Sequence, residues 1–369
     1  MKMALRGSQA SREKSVVIAG AGGNIGSHLV PHLARMPHVG RLTLIDKDVY
    51  EARNIYAQDI TPRDVGKPKA VVQARRLRRI RPSLRVEAIN DAVERVPLGT
   101  LRSDVILSCL DSRISRQQLN QFAWRLGIPL IDAGVEAGGL LARVNVYVPG
   151  PDTPCLECAW DDRDYDALEQ TYPCLGYLDV AATHAPSSLG SLAASLQALE
   201  CLKLLDGRVD QAAISRQVLL DATHHNQYVT AFRRNPNCRF SSHEVWRIRT
   251  LDQSARDLTL SEALGLVRSE DGHSAVLRVE GKPFATRLSC TVCGATRSLV
   301  SLECSLRKNQ TTCTCGGRMI ATGFDILEEL SAKVVPQRVL RRSLRSLGLR
   351  PGEMFTVSAD GKESHYELR

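Results

Sequence analysis

The sequence has few aromatic residues, no long apolar run and no even set of cysteines, and each shortage excludes a class of protein. Phe, Trp and Tyr make up 5% of the 369 residues. No apolar run reaches the roughly 18 residues that a membrane helix needs, so no membrane span is predicted. Eleven cysteines favour metal ligands and reactive thiols in a reducing compartment over a disulfide framework. We expect a cytoplasmic protein whose N-terminal apolar patch is the first strand rather than a signal peptide.

The formal net charge of +9 comes from basic residues scattered along the chain, with clusters at residues 75–79 and 338–350. The first interpretation of such clusters is a solvated helix face, and an acidic protein or a nucleic acid partner is the alternative. No aromatic residues alternate with the arginines to stack on bases, so nucleic acid is the second choice.

The first 46 residues carry the pattern of a mononucleotide-binding βαβ unit. An apolar run at 15–19 precedes a glycine-rich turn, residues 27–35 fit a helix, and a second strand at 42–45 ends on an acid. Glycines let backbone N–H groups approach a phosphate at a helix N-terminus, and the acid is placed to accept from ribose hydroxyls. The residues predicted to bind the nucleotide in this way are Gly20, Gly22, Gly23, Gly26 and Asp46. NAD, FAD and ATP sites share this signal.

Strands continue to alternate with helices as far as residue 134. This alternation predicts an α/β fold with a doubly wound, Rossmann-like and mostly parallel sheet. A buried strand at 105–110 is followed by Asp111, and residues 129–134 are predicted to form a further strand and turn. Asp46 and Asp111 therefore lie at carboxyl ends of strands, where ligands bind in such sheets.

Lys69 and Asp111 favour ATP over a dinucleotide. A lysine just after a loop supplies a point charge to phosphates, and a carboxylate at a strand end can hold Mg²⁺. A dehydrogenase would need neither residue. Two alternatives stay open: Lys69 as a solvent-exposed lysine at a helix start, and Asp111 as a helix N-cap.

An ordered set of short motifs covers residues 14–243 and carries a family resemblance. The motifs are Gly-x-Gly-Gly, Leu-Ile-Asp-x-Asp, Asn54 with Gln58, Gly-x-x-Lys69, Asp111 with Arg116, and a helix that starts near Gly190. Together they resemble the adenylation domain of the ubiquitin-activating-enzyme superfamily, which includes the bacterial ThiF and MoeB adenylyltransferases. The resemblance implies an enzyme that binds ATP and Mg²⁺ and adenylates the C-terminal glycine of a ubiquitin-like or sulfur-carrier protein.

The resemblance also implies roles for matched positions. The glycine turn and Asp46 would hold the nucleotide, Asn54 and Lys69 would contact phosphates, and Asp111 would hold Mg²⁺. Asp48 and Gln58 would join the nucleotide site, and Arg116 would join Lys69 and Asp111 in catalysis. The family usually has an arginine just before the glutamine, where this chain has Ala57, and Arg53 or Arg63 is a possible substitute. Ala57 keeps an adenylation-inactive adaptor open as an alternative.

Cys155 and Cys158 form a Cys-x-x-Cys knuckle, a spacing that lets two thiolates reach one Zn²⁺. The second half should lie far downstream, because the chain must return to the same edge, and Cys238 fits that position. His243 is the nearest fourth ligand and would complete a Cys₃His zinc site. The alternatives are a redox pair for the knuckle and an exposed loop histidine for His243.

Cys174 lies in a polar stretch at residues 161–189 between the knuckle and the helix near Gly190. In the resembling family this crossover often carries the cysteine that receives the activated protein, which implies a thioester on Cys174. The alternative is a structural cysteine packed under the loop. Cys109 and Cys201 are predicted to be buried, inert core residues.

The pattern changes from residue 245, where a small α+β domain with a zinc ribbon is predicted. The predicted ligands of this second zinc are Cys290, Cys293, Cys313 and Cys315. Cys304 is predicted to be structural filler, with an alternate zinc ligand or a second reactive thiol as the alternatives. Residues 327–347 are predicted to be helical apart from an interruption at Pro336, and Asp360-Gly361 indicates a hairpin. The ribbon domain is predicted to dock a protein partner, either the modifier or a conjugating enzyme.

We therefore predict three parts: a nucleotide-binding part at 1–150, a crossover loop with the zinc-bound remainder of the adenylation domain at 151–244, and a partner-docking ribbon domain at 245–369. Family members are commonly homodimers, so the resemblance implies a homodimer here. The functions that stay open beside modifier activation are the adaptor, a peptide adenylyltransferase and an NAD-dependent oxidoreductase.

Overall fold

The computed structural model describes residues 13–169, 185–240, 243–267 and 275–369. These residues form two compact units. Unit 1 lies within Met1–Val93 and Arg102–Val245, and unit 2 within Glu94–Leu101 and Trp246–Arg369. Among the residues described, no helix is both long enough and apolar enough to cross a membrane.

Unit 1 is built on a mainly parallel sheet of eight strands. The strands are β1 (Lys14–Ala19), β2 (Val39–Ile45), β3 (Arg85–Ile89), β4 (Val105–Ser108), β5 (Leu130–Glu136), β6 (Leu141–Tyr147), β7 (Arg216–Asp221) and β8 (Asn226–Ala231). Their order is β3-β2-β1-β4-β5-β6-β7-β8. The pairs from β3 to β5 are parallel, and the pairs from β5 to β8 are antiparallel. The predicted Rossmann-like sheet is confirmed.

Five helices of the described part of unit 1 accompany this sheet: α1 (Asn24–Ala34), α2 (Lys69–Ile80), α3 (Arg113–Leu126), α4 (Asp162–Glu169) and α5 (Ser187–Leu205). The sequence sets the bounds of α3, because Ser112 caps its start and Gly127 ends it in the left-handed region at φ 67°. Helices α1 and α5 pack against each other, and α5 also packs on β5 and β6. A Cβ at Gly190 would collide with the side-chain amide of Asn24, which donates to the Ala185 carbonyl at 2.8 Å, so a larger residue there would have to displace that amide.

Unit 2 contains two smaller sheets. Its elements are β9 (Ile248–Thr250), α6 (Leu260–Leu264), β10 (Val276–Arg278), β11 (Phe284–Cys290), β12 (Thr296–Leu302), α7 (Lys308–Thr311), β13 (Met319–Ile320), β14 (Ile326–Leu327), β15 (Glu329–Ser331), α8 (Gln337–Leu340), β16 (Met354–Ala359) and β17 (Lys362–Glu367). One sheet has the order β15-β10-β16-β17-β9, and the other has β12-β11-β13 with β14 also paired to β11. The predicted hairpin is present: Asp360 and Gly361, at φ 51° and 74°, join β16 to β17.

The prediction of helix over residues 327–347 is wrong. This stretch contains the ends of β14, then β15, the short α8 and a 3₁₀ turn at Leu344–Leu347. Most of its apolar residues pack in the core of unit 2, and Leu327 and Leu330 do so from strands. Leu330, for example, lies opposite Leu277 of β10. Pairing with a distant strand therefore outweighs the local helical pattern.

The segment Glu94–Leu101 lies in sequence between β3 and β4 of unit 1 and yet belongs to unit 2. The Lys282 ammonium donates to the Val96 carbonyl at 2.8 Å and pairs with Glu353 at 2.5 Å. Both charged side chains are almost fully buried. The Gly99 amide donates to the Gly352 carbonyl at 2.8 Å. Sequence reasoning did not anticipate this segment, and the three-part division stays a prediction.

Candidate functional site

The predicted glycine turn connects β1 to α1 at the carboxyl edge of the sheet. Gly20 has φ 79°, and its amide donates to the Ile45 carbonyl at the end of β2 at 2.9 Å. A Cβ there would lie 2.6 Å from the carbonyl oxygen of Cys109, just after β4, so only glycine lets these segments approach. Gly23 is the N-cap of α1 and provides no side-chain cap. The first N–H groups of α1 are therefore available to an anion.

Asp46 holds this turn through hydrogen bonds from backbone amides. One carboxylate oxygen accepts from the Gly22 amide at 2.8 Å, and the other accepts from the Asp48 amide at 3.0 Å. Burial raises the pKa of Asp46, and Lys69 together with the two amide donors opposes that rise. The carboxylate thus organises the glycine turn, and its predicted contact with ribose stays a prediction.

Lys69 is the first residue of α2 and lies beside the same turn. Its side chain is 9% exposed, which rules out the alternative of a solvent-exposed lysine at a helix start. The ammonium lies 3.3 Å from the Asp48 carboxylate and 5.7 Å from the centre of the Tyr50 ring. The Tyr50 hydroxyl donates to the Gly22 carbonyl at 3.1 Å. A buried ammonium with a single carboxylate partner still favours further anionic contact.

Asn54 and Gln58 lie on and just after a 3₁₀ turn at Ala52–Tyr56. The Asn54 side chain accepts from the Glu51 amide at 2.8 Å and so caps the turn. The Gln58 Oε1 is buried and has no hydrogen-bond partner among the described residues. Of the two suggested substitutes for the missing arginine at Ala57, Arg53 pairs with Glu51 at 2.7 Å and Arg63 is exposed.

Asp111 follows β4 and lies immediately before the cap of α3. The Ser112 hydroxyl accepts from the Ser115 amide at 3.3 Å, so Ser112 is the N-cap and the alternative role for Asp111 is wrong. Asp111 is exposed and lines a cavity of about 400 Å³ in unit 1, a volume in the range of about 300–1,000 Å³ for small-ligand sites. Its carboxylate is therefore open to a metal ion or a substrate.

Arg116 belongs to a buried charge network that sequence reasoning missed. Its Nε donates to the Leu110 carbonyl at 2.7 Å, and its guanidinium pairs with Asp132 at 3.0 Å. Arg143 pairs with the same Asp132 oxygen at 3.1 Å. Asp132 is fully buried, and its second carboxylate oxygen has no partner among the described residues. Arg116 thereby fixes the segment that presents Asp111.

The charged residues of this network are visible in the sequence, but they lie on separate elements and form no local motif. In the sequence, Asp132 is one residue of a predicted strand, and Arg143 lies on β6, which pairs with β5. Burial lowers the pKa of Arg116, while the Asp132 carboxylate raises it and Arg143 lowers it further. Both arginines line the same cavity as Asp111. The structure thus brings Asp111 and Arg116 together, and it places Cys109, close to Gly20, two residues before Asp111.

Cys155, Cys158, Cys238 and His243 form a compact group in unit 1, with their ligand atoms all within 4.8 Å of one another. The Cys155 sulfur lies 3.9 Å from that of Cys158 and 3.8 Å from that of Cys238. Cys158 lies 3.3 Å from the His243 Nε2. Tetrahedral Zn–S bonds of about 2.3 Å place sulfur atoms about 3.8 Å apart, so these residues fit zinc.

The geometry excludes one alternative for this group and disfavours the other. His243 is buried, not an exposed loop histidine, and its ring lies 5.0 Å from the Trp124 ring. The knuckle sulfurs lie 3.9 Å apart as free thiols and share their site with Cys238 and His243, which favours a metal site over a redox pair. The knuckle also holds α3, because the buried Glu157 accepts from Gln117 at 2.8 Å and from Gln121 at 2.9 Å.

A second group, Cys290, Cys293, Cys313 and Cys315, lies in unit 2, again with its sulfurs within 4.8 Å of one another. Cys290 lies 3.5 Å from Cys315, and Cys293 lies 3.6 Å from Cys313. The amides of Val292 and Gly317 donate to two of the sulfurs at 3.4 Å. Amide donation stabilises thiolates, and this arrangement of four sulfurs also fits zinc.

The remaining cysteines differ in their surroundings. Cys174 lies outside the described residues. Cys109 is half-buried, 3.3 Å from Gln197 Oε1, and burial raises the pKa of its thiol far above the usual range. Cys201 is buried on α5, and burial raises its pKa to about 12. Both thiols are therefore protonated near neutral pH, as expected of inert residues.

A comparison with protein families matches residues 1–240 to the model of the ThiF family. The chain belongs to the ThiF family. The match covers the glycine turn, Lys69, Asp111 and three of the four residues of the first cysteine group, and it ends just before His243. The resemblance inferred from the motifs is confirmed.

Named relatives of this ThiF-family chain are adenylyltransferases and E1-like activating enzymes, which confirms the predicted class of enzyme. The sulfur carrier protein ThiS adenylyltransferase of Escherichia coli K12 is 30% identical over 239 residues, 64% of this chain and 89% of that protein. The SAMP-activating enzyme E1 of Haloferax volcanii is 30% identical over 226 residues, 60% of this chain and 78% of that protein.

Among solved structures, Escherichia coli MccB with ATP matches with a TM-score of 0.51 at 23% identity. The match covers 62% of this chain and 67% of that chain, and for MccB with succinimide it covers 66% of that chain. At this identity the likeness supports the fold.

Proposed function

We propose that this chain uses ATP to adenylate the C-terminal glycine carboxylate of a ubiquitin-like or sulfur-carrier protein, with release of pyrophosphate. The observation that carries the proposal is a ThiF-family chain in which the glycine turn, Lys69 and Asp111 share the carboxyl edge of one sheet. The partner class rests on the names of the relatives, which act on the sulfur carrier ThiS and on SAMP.

The proposed reaction is a displacement at the α-phosphorus of ATP by the glycine carboxylate. The uncapped start of α1 would orient backbone N–H donors towards phosphate oxygens, and Lys69 would supply a fixed positive charge beside them. Asn54 and Gln58 would add polar contacts, with the unpartnered Gln58 Oε1 available to a donor. Oriented donors matter because negative charge builds on the α-phosphate during attack.

Mg²⁺ held by Asp111 would neutralise phosphate charge in this reaction. The exposed carboxylate of Asp111 fits that role, because the cap of α3 is made by Ser112 instead. Arg116 would act by fixing the Leu110 carbonyl and hence the direction of Asp111. The buried Asp132 would keep Arg116 in place.

The two cysteine groups are proposed as structural Zn²⁺ sites. In unit 1 the metal would lock the knuckle onto α3, whose first turn carries Arg116. In unit 2 the metal would stabilise a small ribbon with little core of its own. The ribbon unit is proposed to dock the modifier or a conjugating enzyme, and the chain is proposed to act as a cytoplasmic homodimer.

The transfer step is proposed to occur on Cys174, where the thiolate attacks the acyl adenylate, forms a thioester and displaces AMP. Cys174→Ala should keep adenylation and lose a thiol-sensitive adduct with the modifier. A matched control is Cys201→Ala, since Cys201 is buried on α5 and should leave the adduct intact. An adduct that survives Cys174→Ala on denaturing gels would refute this step.

The test of the adenylation itself is ATP–pyrophosphate exchange by the purified chain, with and without a small ubiquitin-fold protein. We expect exchange that requires the C-terminal glycine of that partner. Binding of ATP and partner without any exchange would instead support an adenylation-inactive adaptor, the alternative that Ala57 keeps open. Exchange with a short free peptide but not with the folded partner would indicate a peptide adenylyltransferase.

A further inference from the structure

Unit 2 contains a cavity of about 660 Å³ that the adenylation reaction does not use. Its lining includes four arginines, Arg95, Arg307, Arg345 and Arg350, together with serine hydroxyls and the amides of residues 309 and 310. Among the described residues that line it, none is an aspartate or a glutamate. The volume lies within the range of about 300–1,000 Å³ that holds small ligands.

The walls of this arginine cavity are held by hydrogen bonds. The Ser305 hydroxyl donates to the Gly348 carbonyl at 2.7 Å and so ties the two wall segments together. The Arg297 guanidinium donates to the carbonyls of residues 309 and 310 at 3.0 and 2.6 Å. Arg350 donates to the Arg95 carbonyl, and its buried Nε has no partner among the described residues. The cavity is therefore a built feature rather than a gap between loose loops.

The charges of the cavity are not balanced within it. Arg307 and Arg345 take part in no ion pair with any described residue. Arginines that face one cavity without a carboxylate repel one another, and an anion bound between them relieves that repulsion. Their planar N–H forks match the oxygens of phosphate groups.

The lining also limits the kind of anion. Its apolar lining residues are Leu349, Pro351 and Cys304, and among the described lining residues no aromatic side chain offers a platform for a nucleobase. We propose that this cavity binds a small phosphate-bearing anion, held by Arg307, Arg345 and Arg350. This site is separate from the proposed adenylation site, which lies in unit 1.

Cys304 supplies a reporter inside the cavity. The thiol is half-buried and lines the cavity wall. Burial raises its pKa, although Lys282 and Arg350 nearby oppose that rise. The thiol is therefore mostly protonated near neutral pH and reacts slowly, and a bound anion should slow its reaction further by covering it.

The test uses the full chain and inorganic pyrophosphate as the probe. Binding is measured by calorimetry, and iodoacetamide alkylation of the Cys304 peptide is followed by mass spectrometry with and without pyrophosphate. The variants are Arg307→Gln and Arg345→Gln. Arg341→Gln is the matched control, because Arg341 is an exposed arginine four residues before Arg345 that does not line the cavity.

We expect pyrophosphate to slow Cys304 alkylation several-fold and each cavity variant to weaken that protection on the order of tenfold, the usual effect of losing one charge-assisted contact. Arg341→Gln should leave the protection of Cys304 within about twofold of wild type. Arg345→Gln should leave ATP–pyrophosphate exchange unchanged. An alkylation rate that pyrophosphate does not alter, or equal weakening by Arg341→Gln, would overturn the proposal. Protection by an acidic peptide or a short RNA but not by pyrophosphate would overturn it in favour of a macromolecular partner.

Discussion

Asp111 and Ser112 are neighbours with different predicted roles. Substitution of Asp111 should lower turnover but not stability, and substitution of Ser112 should lower stability but not turnover. Ser112 accepts from the Ser115 amide and caps α3, whereas Asp111 is exposed and makes no cap. Asp111→Ala should therefore lower the rate of ATP–pyrophosphate exchange by at least about 100-fold, as loss of a group that stabilises the reacting phosphate does. Its effect on the free energy of unfolding should stay within about 0.5 kcal/mol, the usual range for an exposed residue.

Ser112→Ala should give the reverse result. Loss of an N-cap hydroxyl costs about 1 kcal/mol of stability, and the cap here is a single bond of 3.3 Å at an exposed position. For a unit of this size that loss lowers the melting temperature by roughly 2–4 °C. Exchange should stay within about threefold of wild type, because Ser112 does not line the cavity that Asp111 lines.

The assay for both variants is ATP–pyrophosphate exchange at saturating ATP and partner, with calorimetry for the melting temperature. Asp111→Asn is a useful control, because it keeps the size of the side chain and removes the charge that would hold Mg²⁺. Near-wild-type exchange by Asp111→Ala would refute the Mg²⁺ assignment. A drop in melting temperature for Asp111→Ala as large as that for Ser112→Ala would refute the assignment of the cap.

Three further predictions concern the metal groups and a buried ion pair. Cys238→Ser should lower the zinc content by one ion per chain and reduce the melting temperature. The matched control Cys201→Ser, in the core, should keep both ions. An unchanged zinc content in Cys238→Ser would refute the zinc site of unit 1. Backbone donation by Cys315 and the neighbouring thiols lower the pKa of Cys313 to about 6. Protons compete with the metal for the thiolates of this group, so zinc release to a chromogenic chelator should rise as the pH falls. A flat profile from pH 5 to 7 would contradict this. Glu353→Gln leaves the Lys282 ammonium buried without its carboxylate and should lower the free energy of unfolding by about 3–5 kcal/mol. The double variant Lys282→Met with Glu353→Leu removes both charges and should lower it less. Equal losses of stability in urea unfolding would show that the unpaired charge is not the cause.

The parts of the site that the sequence predicted are those encoded within short stretches of chain. The glycine turn and Asp46 lie 20 to 26 residues apart in one βαβ unit, and the Gly22 amide does contact the Asp46 carboxylate. Most ligands of the two cysteine groups could also be predicted from the sequence, because metal ligands have characteristic spacings. His243 was inferred only as the nearest fourth ligand, and the structure brings it to Cys158.

The parts that the sequence did not predict depend on contacts between distant strands. Asp132 meets Arg116 and Arg143 only after β4, β5 and β6 have paired, and no local pattern marks such a meeting. The false helix at 327–347 has the same origin, since pairing of β15 with β10 is decided by residues more than 45 positions away. Short segments have weak local preferences, and tertiary pairing overrides them.

The course of Glu94–Leu101 bears on how this protein could have been assembled. A gene that encodes only residues up to 245 would carry Val96, Leu98 and Leu101, which are buried within unit 2, without the partner surface that covers them. A gene that encodes only residues from 246 would lack the carbonyl that receives the Lys282 ammonium. Neither unit can therefore be exchanged as a simple cassette at that junction. A recombination event that transferred the ribbon unit to another adenylation domain would have to rebuild the connection between β3 and β4 as well.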